Sequence, residues 1–402
     1  MGMFTDMLLY GLVVPVFPYM LRDRIGIPPD RLQSNVSGLL AAYGAAQVVS
    51  SPFAGLLADR MTTRQAPFLL GLLALLGATA LLFLGQTLPV LMLARVLQGI
   101  SAAFVWTIGL ALCLETIFGF ISVGNFAAPL LGGALYEKAG YPGVFGLAFG
   151  ALALDFIMRL LVIEKKVAVR YDSEDTTETY HDTTSDDQRD GTAEARQADD
   201  EEEEPLLGSK NEENASFKLS NDQSKLARMV PILPCLADPR LLTAFLVSLI
   251  QGLLLGNFDA TVPTVAQEHF NAGSLKAGML FVPVGVSDLL FGPLFGYCVD
   301  RFGTKWVSVV SYTYLVPVLV LLRLPHPGGM DQFYLYGGLL ALCGVGIAGI
   351  GAPSIVEAGV IMEKYYAANP DHFGEQGPYA QLYGLSSMAF SAGTNVKVAD
   401  VP

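Results

Sequence analysis

Long apolar stretches alternate with short polar segments along most of the chain. We place ten of these stretches at residues 3–21, 36–58, 67–86, 89–114, 116–136, 143–163, 241–262, 276–298, 306–323 and 333–358, and the start of an eleventh near Tyr379. A run of about 18 to 20 apolar residues is long enough to cross roughly 30 Å of hydrocarbon as a helix. Because lipid offers the backbone no hydrogen-bond partners, such runs form helices, and this signal is far stronger than any β-barrel alternation. The pattern predicts an all-α polytopic membrane protein with about ten or eleven spans.

The composition agrees with this prediction, and the charge is concentrated in one segment. Of the 402 residues, 52% are hydrophobic and 15% are charged, whereas a soluble chain carries about a quarter charged residues. The net charge is −13, but residues 171–228 alone hold 18 acidic and 6 basic side chains. The rest of the chain is therefore close to neutral, and we expect no nucleic-acid partner.

The acidic segment divides the chain into two helical halves. It contains too few apolar residues to offset the entropy of ordering, so we expect a disordered linker. The expected parts are an N-terminal half at 1–163 with spans one to six, a cytosolic linker at 164–240, and a C-terminal half at 241–402 with spans seven to ten and a partial eleventh. Within the linker, Glu202, Leu206 and Leu207 have the spacing of an acidic dileucine sorting signal, although a chance match is the alternative.

Lysine and arginine in the short loops indicate the orientation. Arg60, Lys165 and Arg301 fall on alternate loops, and such residues are enriched on the cytosolic side of a membrane. We therefore place the N-terminus and the linker in the cytosol. The loop "RDRIGIPPDR" on the opposite side carries three arginines and argues against this assignment.

The sequence contains no recognisable catalytic or cofactor-binding motif. No nucleophile elbow, metalloprotease motif or phosphate-binding loop is present. The four cysteines show no paired spacing, so buried free thiols are favoured over disulfides or a metal site. We expect neither enzyme activity nor a cofactor or metal.

A charged turn occurs once in each half, between two apolar runs. The first copy is "LLADRMTTRQ" and the second is "GYCVDRFGTKW". They resemble the loop signature G-x-x-x-D-R-x-x-x-R of the major facilitator superfamily, which repeats it at these two places. The matching residues are Gly55, Asp59, Arg60 and Arg64 in the first copy and Gly296, Asp300, Arg301 and Lys305 in the second.

Three further motifs in the first half carry the same resemblance. Arg95 and Gln98 match R-x-x-Q-G in span four, and "DMLLYGLVVPVFP", with Asp6 and Tyr10, is similar to a span-one pattern of drug:proton antiporters. The span-five segment resembles the antiporter motif at Gly124, Pro129, Gly132 and Gly133. The relatives implied are vesicular amine transporters and fungal multidrug-resistance proteins. The resemblance implies two pseudo-symmetric helical halves and proton-driven antiport or efflux of small organic, cationic or amphipathic molecules by alternating access.

The resemblance also suggests roles for the charged residues. The charged turn would be a conformational latch in which an aspartate pairs with a neighbouring helix terminus; the alternative is that its arginines only fix topology. Asp6 and Asp259 would neutralise a cationic substrate or exchange a proton, unless each merely marks a helix end. Arg95 would take part in proton coupling, unless it snorkels to the surface. An aromatic cavity for cations is a weaker expectation, formed by Tyr10, Phe17, Tyr43 and Trp106.

The sequence departs from the family pattern in ways that affect the expected function. Relative to the family pattern, about a dozen residues are absent between spans four and five, and span eleven gives way to the polar tail "NVKVADVP", so we expect a truncated second half. The alternatives to antiport are a non-transporting truncated membrane protein and a nutrient uptake carrier of the same fold. The expected partners are the lipid bilayer, a small organic substrate, protons and sorting adaptors, in the plasma membrane or a vacuolar or vesicular membrane.

Overall fold

The computed structural model describes residues 2–61, 65–112, 117–161, 217–219, 229–351, 353–373 and 377–395. Within these ranges the regular structure is entirely helical. Nine of the described helical stretches are long and apolar enough to cross a membrane. The prediction of an all-α polytopic membrane protein is therefore confirmed.

The described residues of the N-terminal half form six α-helices. Their bounds are α1 Gly2–Val13, α2 Phe17–Met20, α3 Pro29–Arg60, α4 Gln65–Leu84, α5 Leu88–Leu112 and α6 Ile117–Leu161.

Eight α-helices are described in the C-terminal half, preceded by a 3-10 turn at Leu233–Ala237. Their bounds are α7 Pro239–Phe270, α8 Ser274–Met279, α9 Phe281–Phe302, α10 Thr304–Leu321, α11 Met330–Gly351, α12 Pro353–Ala368, α13 Pro370–Phe373 and α14 Tyr379–Asn395.

The first span changes its helical type three times. After α1 the chain forms a 3-10 turn at Val14–Val16, then α2, then a π-helical turn at Leu21–Ile25. Pro15 and Pro18 lack the amide N–H that a regular α-helix needs, which explains the irregular middle of this span. The span nevertheless continues without a break from Gly2 to Ile25.

Helix α6 contains two spans joined by a sharp turn. Gly140 has a positive φ of 63° in the middle of the 45-residue helix, a conformation that a glycine adopts without strain. Before it, Tyr136 approaches Asp23 at one end of the first span. After it, the Tyr141 hydroxyl donates to the Leu82 carbonyl oxygen near the end of α4. The second part then returns along α4, so spans five and six form an antiparallel hairpin.

The two halves meet in two places where helices approach each other at glycines. Helix α3 packs along α14, where a Cβ on Gly55 would lie 2.7 Å from the Ala380 carbonyl oxygen. Helix α6 packs against α8 and α9, where a Cβ on Gly133 or Gly278 would clash with backbone atoms of the other half. Small residues let helix backbones approach this closely inside a membrane. We call the end of the bundle where α3 ends and α14 begins the latch end.

The expected fragment of span eleven forms a regular helix within the described part of the chain. Helix α14 has 17 residues and packs along α3 and α7. Its buried residues include Gln381, Tyr383 and Ser387, so it occupies the interface between the halves. The prediction of a truncated second half is therefore not supported. The junction between spans four and five, at residues 113–116, lies outside the described part of the chain.

Three cysteines fall in the described ranges. Cys235, Cys298 and Cys343 are free thiols, of which Cys235 and Cys343 are buried and Cys298 is partly buried, whereas Cys113 lies outside these ranges. Burial raises the pKa of the Cys235 thiol to about 12, so we expect this thiol to react slowly with labelling reagents.

The glycine of the charged turn differs between the two halves in what surrounds it. Gly55→Ala places a methyl group against backbone atoms of α14, whereas Gly296→Ala meets no atom within 4 Å. Overpacking costs about 1–3 kcal/mol, so we expect Gly55→Ala to lower the melting temperature of the detergent-solubilised protein. Gly296→Ala is the matched control and should leave the melting temperature unchanged. Equal melting temperatures for the two variants would contradict this account of the interface.

Candidate functional site

A buried guanidinium lies at the centre of the first half. Arg95 on α5 is 1% exposed, and its charge lies over the rings of Phe17, Tyr43 and Tyr10 at 4.6, 5.2 and 5.5 Å. Its Nη1 donates to Gln98 Oε1 at 2.9 Å, and Gln98 in turn donates to Thr79. Arg95 therefore does not snorkel to the surface.

Asp6 lies beside this guanidinium and is 2% exposed. Its carboxylate accepts hydrogen bonds from Trp106 Nε1 at 2.8 Å and from the Tyr43 hydroxyl at 3.3 Å. Asp6 therefore does not mark a helix end, because it lies inside the bundle among side chains of α3 and α5. The structure also places all four of the expected aromatic residues around this site.

Asp259 connects the second half to the same site. The Tyr10 hydroxyl donates to Asp259 Oδ2 at 3.0 Å, and Tyr10 packs against Tyr43 with ring centroids 5.2 Å apart. One tyrosine thus contacts the guanidinium of its own half and the carboxylate of the other half. We call Asp6, Tyr10, Tyr43, Arg95 and Asp259 the central cluster.

Close packing of α3 and α5 gives the cluster its geometry. Gly99, one residue after Gln98, leaves room for the Tyr43 backbone, and a Cβ there would clash with the Tyr43 carbonyl oxygen. Arg95 and Gln98 are three residues apart on α5, which places them on one helix face. Glycine in the R-x-x-Q-G motif thus lets α3 bring Tyr43 over Arg95.

The charged turn of the first half contacts the second half at the latch end. The Asp59 carboxylate accepts hydrogen bonds from the backbone N–H groups of Ala380 and Gln381, at 3.2 and 3.0 Å. These groups belong to the first turn of α14, where a negative charge is favourable. Arg60 donates to the Met229 carbonyl oxygen at 3.0 Å. We call the contact between Asp59 and α14 the latch.

The second copy of the turn is in a different situation. Asp300, Arg301 and Lys305 are exposed, and Arg301 donates to the Tyr297 hydroxyl in its own helix. Thr304, at the start of α10, donates to Glu357 on α12 at 2.5 Å. Within the described residues the second copy thus contacts its own half, whereas the first copy contacts the opposite half.

The antiporter motif lies where α6 meets both α1 and the second half. A Cβ on Gly132 would clash with the Leu12 backbone, and one on Gly133 would clash with Ser274. The Ser274 hydroxyl donates to the Gly133 carbonyl oxygen at 3.1 Å, and Pro129 lies against Gly278. Gly124, the remaining residue of the motif, lies earlier in α6.

Sequence reasoning missed a buried polar contact between α3 and α14. Gln47 Nε2 donates to the Ser387 hydroxyl at 3.3 Å, and the Ser51 and Ser387 hydroxyl oxygens are 3.4 Å apart. Gln381 and Ser391 are also buried on α14. Gln47 and Ser51 are four residues apart in an apolar span, and this spacing was the available signal. Four of the expected site residues lie outside the described ranges: Arg64, Glu202, Leu206 and Leu207.

These features define a polytopic membrane transporter with two helical halves. The sequence model of the Major Facilitator Superfamily matches residues 1–394. The chain therefore belongs to this superfamily.

The curated relatives agree with this assignment. The chain is 40% identical to the MFS-type transporter ppzB of Metarhizium rileyi over 98% of this chain and 86% of the relative. It is 36% identical to an uncharacterized MFS-type transporter of Schizosaccharomyces pombe over 98% and 85%. The vesicular acetylcholine transporter of Drosophila melanogaster is 31% identical, but over only 40% of this chain and 34% of that protein.

Solved structures confirm the fold. The nucleoside transporter NupG superimposes with a TM-score of 0.61 at 12% identity, over 98% of this chain and 87% of that one. The human organic anion transporter MFSD10 gives a TM-score of 0.54 at 18% identity, over 98% and 90%. At these identities the likeness concerns the fold alone.

The latch gives a prediction about how the halves are held together. A protein with Ser51→Cys and Ser387→Cys, and with its native cysteines replaced, should form a disulfide across the halves because the two hydroxyl oxygens are 3.4 Å apart. Adding Asp59→Ala removes the ion–helix contact, so we expect slower cross-linking on oxidation. Adding Asp300→Ala is the matched control and should leave the rate unchanged. Equal rates in all three proteins would show that the latch does not hold α3 against α14.

Proposed function

We propose that this transporter exchanges protons for small organic cations by alternating access. The observation that carries the proposal is the central cluster, which combines two carboxyl groups, one buried guanidinium and aromatic rings drawn from both halves. Charge at membrane depth is costly and usually marks an ion or substrate pathway. The proton gradient is the driving force in this proposal, and no cofactor takes part.

The charges of the cluster explain the exchange. Arg95 contributes one fixed positive charge, while Asp6 and Asp259 contribute two negative charges when both are ionised. The ionised cluster then carries one net negative charge in a poorly hydrated place, which is unfavourable. One proton or one monovalent organic cation neutralises it. The two therefore compete for the same site, which is the requirement for antiport.

The aromatic rings account for the preference for an organic cation. Tyr10, Phe17 and Tyr43 already hold the Arg95 guanidinium over their faces, and ring faces attract cations in the same way when these come from a ligand. Asp259, on α7 of the second half, accepts a hydrogen bond from the Tyr10 hydroxyl and so lies beside these rings. The partial match to vesicular acetylcholine transporters, which are named for a quaternary ammonium ion, supports a cationic substrate.

The Tyr10–Asp259 hydrogen bond offers a route from binding to conformational change. It joins a helix of the first half to a helix of the second half. A cation that pairs with Asp259 replaces Tyr10 as its partner and weakens this connection between the halves. Since a ligand shifts an equilibrium only through its differential affinity for the two states, this exchange of partners favours the rearranged state.

An organic anion is the second candidate substrate. Within the described residues, the Nε and Nη2 atoms of Arg95 are buried and have no hydrogen-bond partner. A guanidinium with two unused donors can bind a carboxylate with bidentate geometry. An uptake carrier for an anionic nutrient would use Arg95 in this way, with Asp6 and Asp259 protonated.

The proposed orientation places the latch end in the cytosol. Arg60, Arg301 and Lys305 all lie near this end, and basic residues are enriched on the cytosolic side. The N-terminus and the linker are then cytosolic, where adaptors could read Leu206 and Leu207. The plasma membrane and a vacuolar or vesicular membrane both fit this orientation.

Asp259→Asn tests the proposed exchange. The amide keeps the shape of the side chain and its bond to Tyr10 but cannot bind or release a proton. In proteoliposomes with an imposed pH gradient, we expect uptake of acetylcholine or tetraphenylphosphonium to fall at least tenfold toward background. Asp331→Asn, at an exposed position on α11, is the matched control and should transport normally.

Two outcomes would contradict the proposal. Gradient-driven cation flux at the unmodified rate in Asp259→Asn would remove this residue from the exchange. Flux of organic anions, but not cations, that is lost in Arg95→Gln would favour the anion carrier instead.

A further inference from the structure

A short piece of the linker is held on the second half by its backbone. Asn369, which directly follows α12, accepts a hydrogen bond from the Leu219 N–H and donates one to the Phe217 carbonyl oxygen, both at 2.9 Å. One amide side chain thus satisfies both a donor and an acceptor of the segment's backbone. We call residues 217–219 the docked segment.

The side chain of Phe217 anchors this segment. It is 8% exposed and meets the Tyr365 ring edge-on, with centroids 5.0 Å apart, while the Lys364 ammonium lies 5.8 Å from its ring centre. An aromatic side chain buried in this way is typical of an anchor residue in peptide recognition. Few other side chains of the acidic linker could act as such an anchor, because residues 171–216 are almost entirely polar.

Continuous contacts connect the docked segment to the latch. Tyr366, next to Tyr365 on α12, packs against Tyr379 with ring centroids 6.1 Å apart. Tyr379 is the first residue of α14, and the following two residues, Ala380 and Gln381, donate their N–H groups to Asp59. The docked segment therefore lies against the helix end that positions the start of α14.

The return of the linker adds a second connection at the same place. Met229 accepts a hydrogen bond from Arg60 of the first half, and the next residues pack on the second half, where the Pro231 carbonyl oxygen lies 3.3 Å from His372 Nε2. Ile232 and Cys235 are buried in a core cluster that also contains Ala58 of α3. The linker thus contacts α3 of the first half and His372 of the second half near the latch end.

We propose that the docked segment is a built-in peptide ligand that positions the start of α14 for Asp59 and so keeps the latch end closed. Its binding site is formed by Lys364, Tyr365 and Asn369. When the segment is bound, α12 and the first turn of α14 are held in the geometry that Asp59 requires. When it is released, the latch weakens and the latch end opens more readily. This inference concerns closure of the fold and does not depend on the substrate.

Cross-linking between Ser51→Cys and Ser387→Cys tests the proposal, because it reports closure without requiring transport. In this background, with the native cysteines replaced, we expect Phe217→Ala and Asn369→Ala each to slow cross-linking by about threefold or more, in the range of coupling between packed sites. The double variant should be no slower than either single variant, since both remove the same contact. Phe217 lies outside the helices, so its replacement leaves the bundle intact.

The decisive comparison is made in the Asp59→Ala background. If the docked segment acts through the latch, Asn369→Ala should have no further effect on cross-linking there. An equal slowing with and without Asp59 would overturn the proposal, as would unchanged cross-linking in Phe217→Ala. Asn35→Ala is the matched control, because the amide of this exposed asparagine donates to Arg31 of its own helix and should leave the rate unchanged.

Discussion

The burial of Arg95 is the constraint on which the centre of the molecule depends. A guanidinium removed from water needs compensating charge, hydrogen bonds or aromatic faces, or its burial is strongly unfavourable. The first half supplies Gln98, three aromatic rings and nearby Asp6, and these occupy spans one, two and four. The remaining carboxylate, Asp259, comes from the second half through Tyr10. The groups around the Arg95 charge therefore come from both halves, at the place where we propose that the substrate binds.

The two ends of the bundle are closed by contacts of different strength. At the latch end an ionised carboxylate accepts two backbone hydrogen bonds at a helix N-terminus, and charge-assisted bonds are the stronger kind. At the opposite end the halves meet through neutral bonds, from Tyr19 to the Ala272 carbonyl oxygen and from Ser274 to that of Gly133. Glycines at both places allow the close approach. The docked segment contacts the second half at the latch end, and in our proposal it strengthens the closure of that end.

The sequence predicted the parts of this structure that depend on local pattern. The apolar runs predicted the helices, and the repeated charged turn indicated the family. Each of these patterns is visible within about twenty consecutive residues. The two spans of the hairpin at Gly140 were predicted. The geometry of its turn was not, because it depends on the positive φ of Gly140, which the sequence pattern does not reveal. The sequence left Asp6 as a residue of uncertain role, since its place depends on Tyr43 and Trp106, which come from distant helices.

Contacts between distant segments explain what the sequence could not predict. The latch residue Asp59 was recognised, but its partners, Ala380 and Gln381, contribute only backbone N–H groups and leave no side-chain signal. The expected truncation of the second half is not supported, because the serines and Gln381 of α14, which look unsuited to lipid, face the interface between the halves. The role of Asn369 was likewise invisible, because it recognises the backbone of a segment about 150 residues away.

The central claim is that a proton and an organic cation compete for one negative charge in the central cluster. The most direct measurement is proton release on binding, obtained by titration calorimetry of the purified protein in buffers of different ionisation enthalpy, with the cation that gives the highest flux. The account predicts that about one proton is released for each monovalent cation bound, since the cluster carries one net negative charge. It also predicts no release in Asp259→Asn. Cation binding without proton release in the unmodified protein would contradict the account.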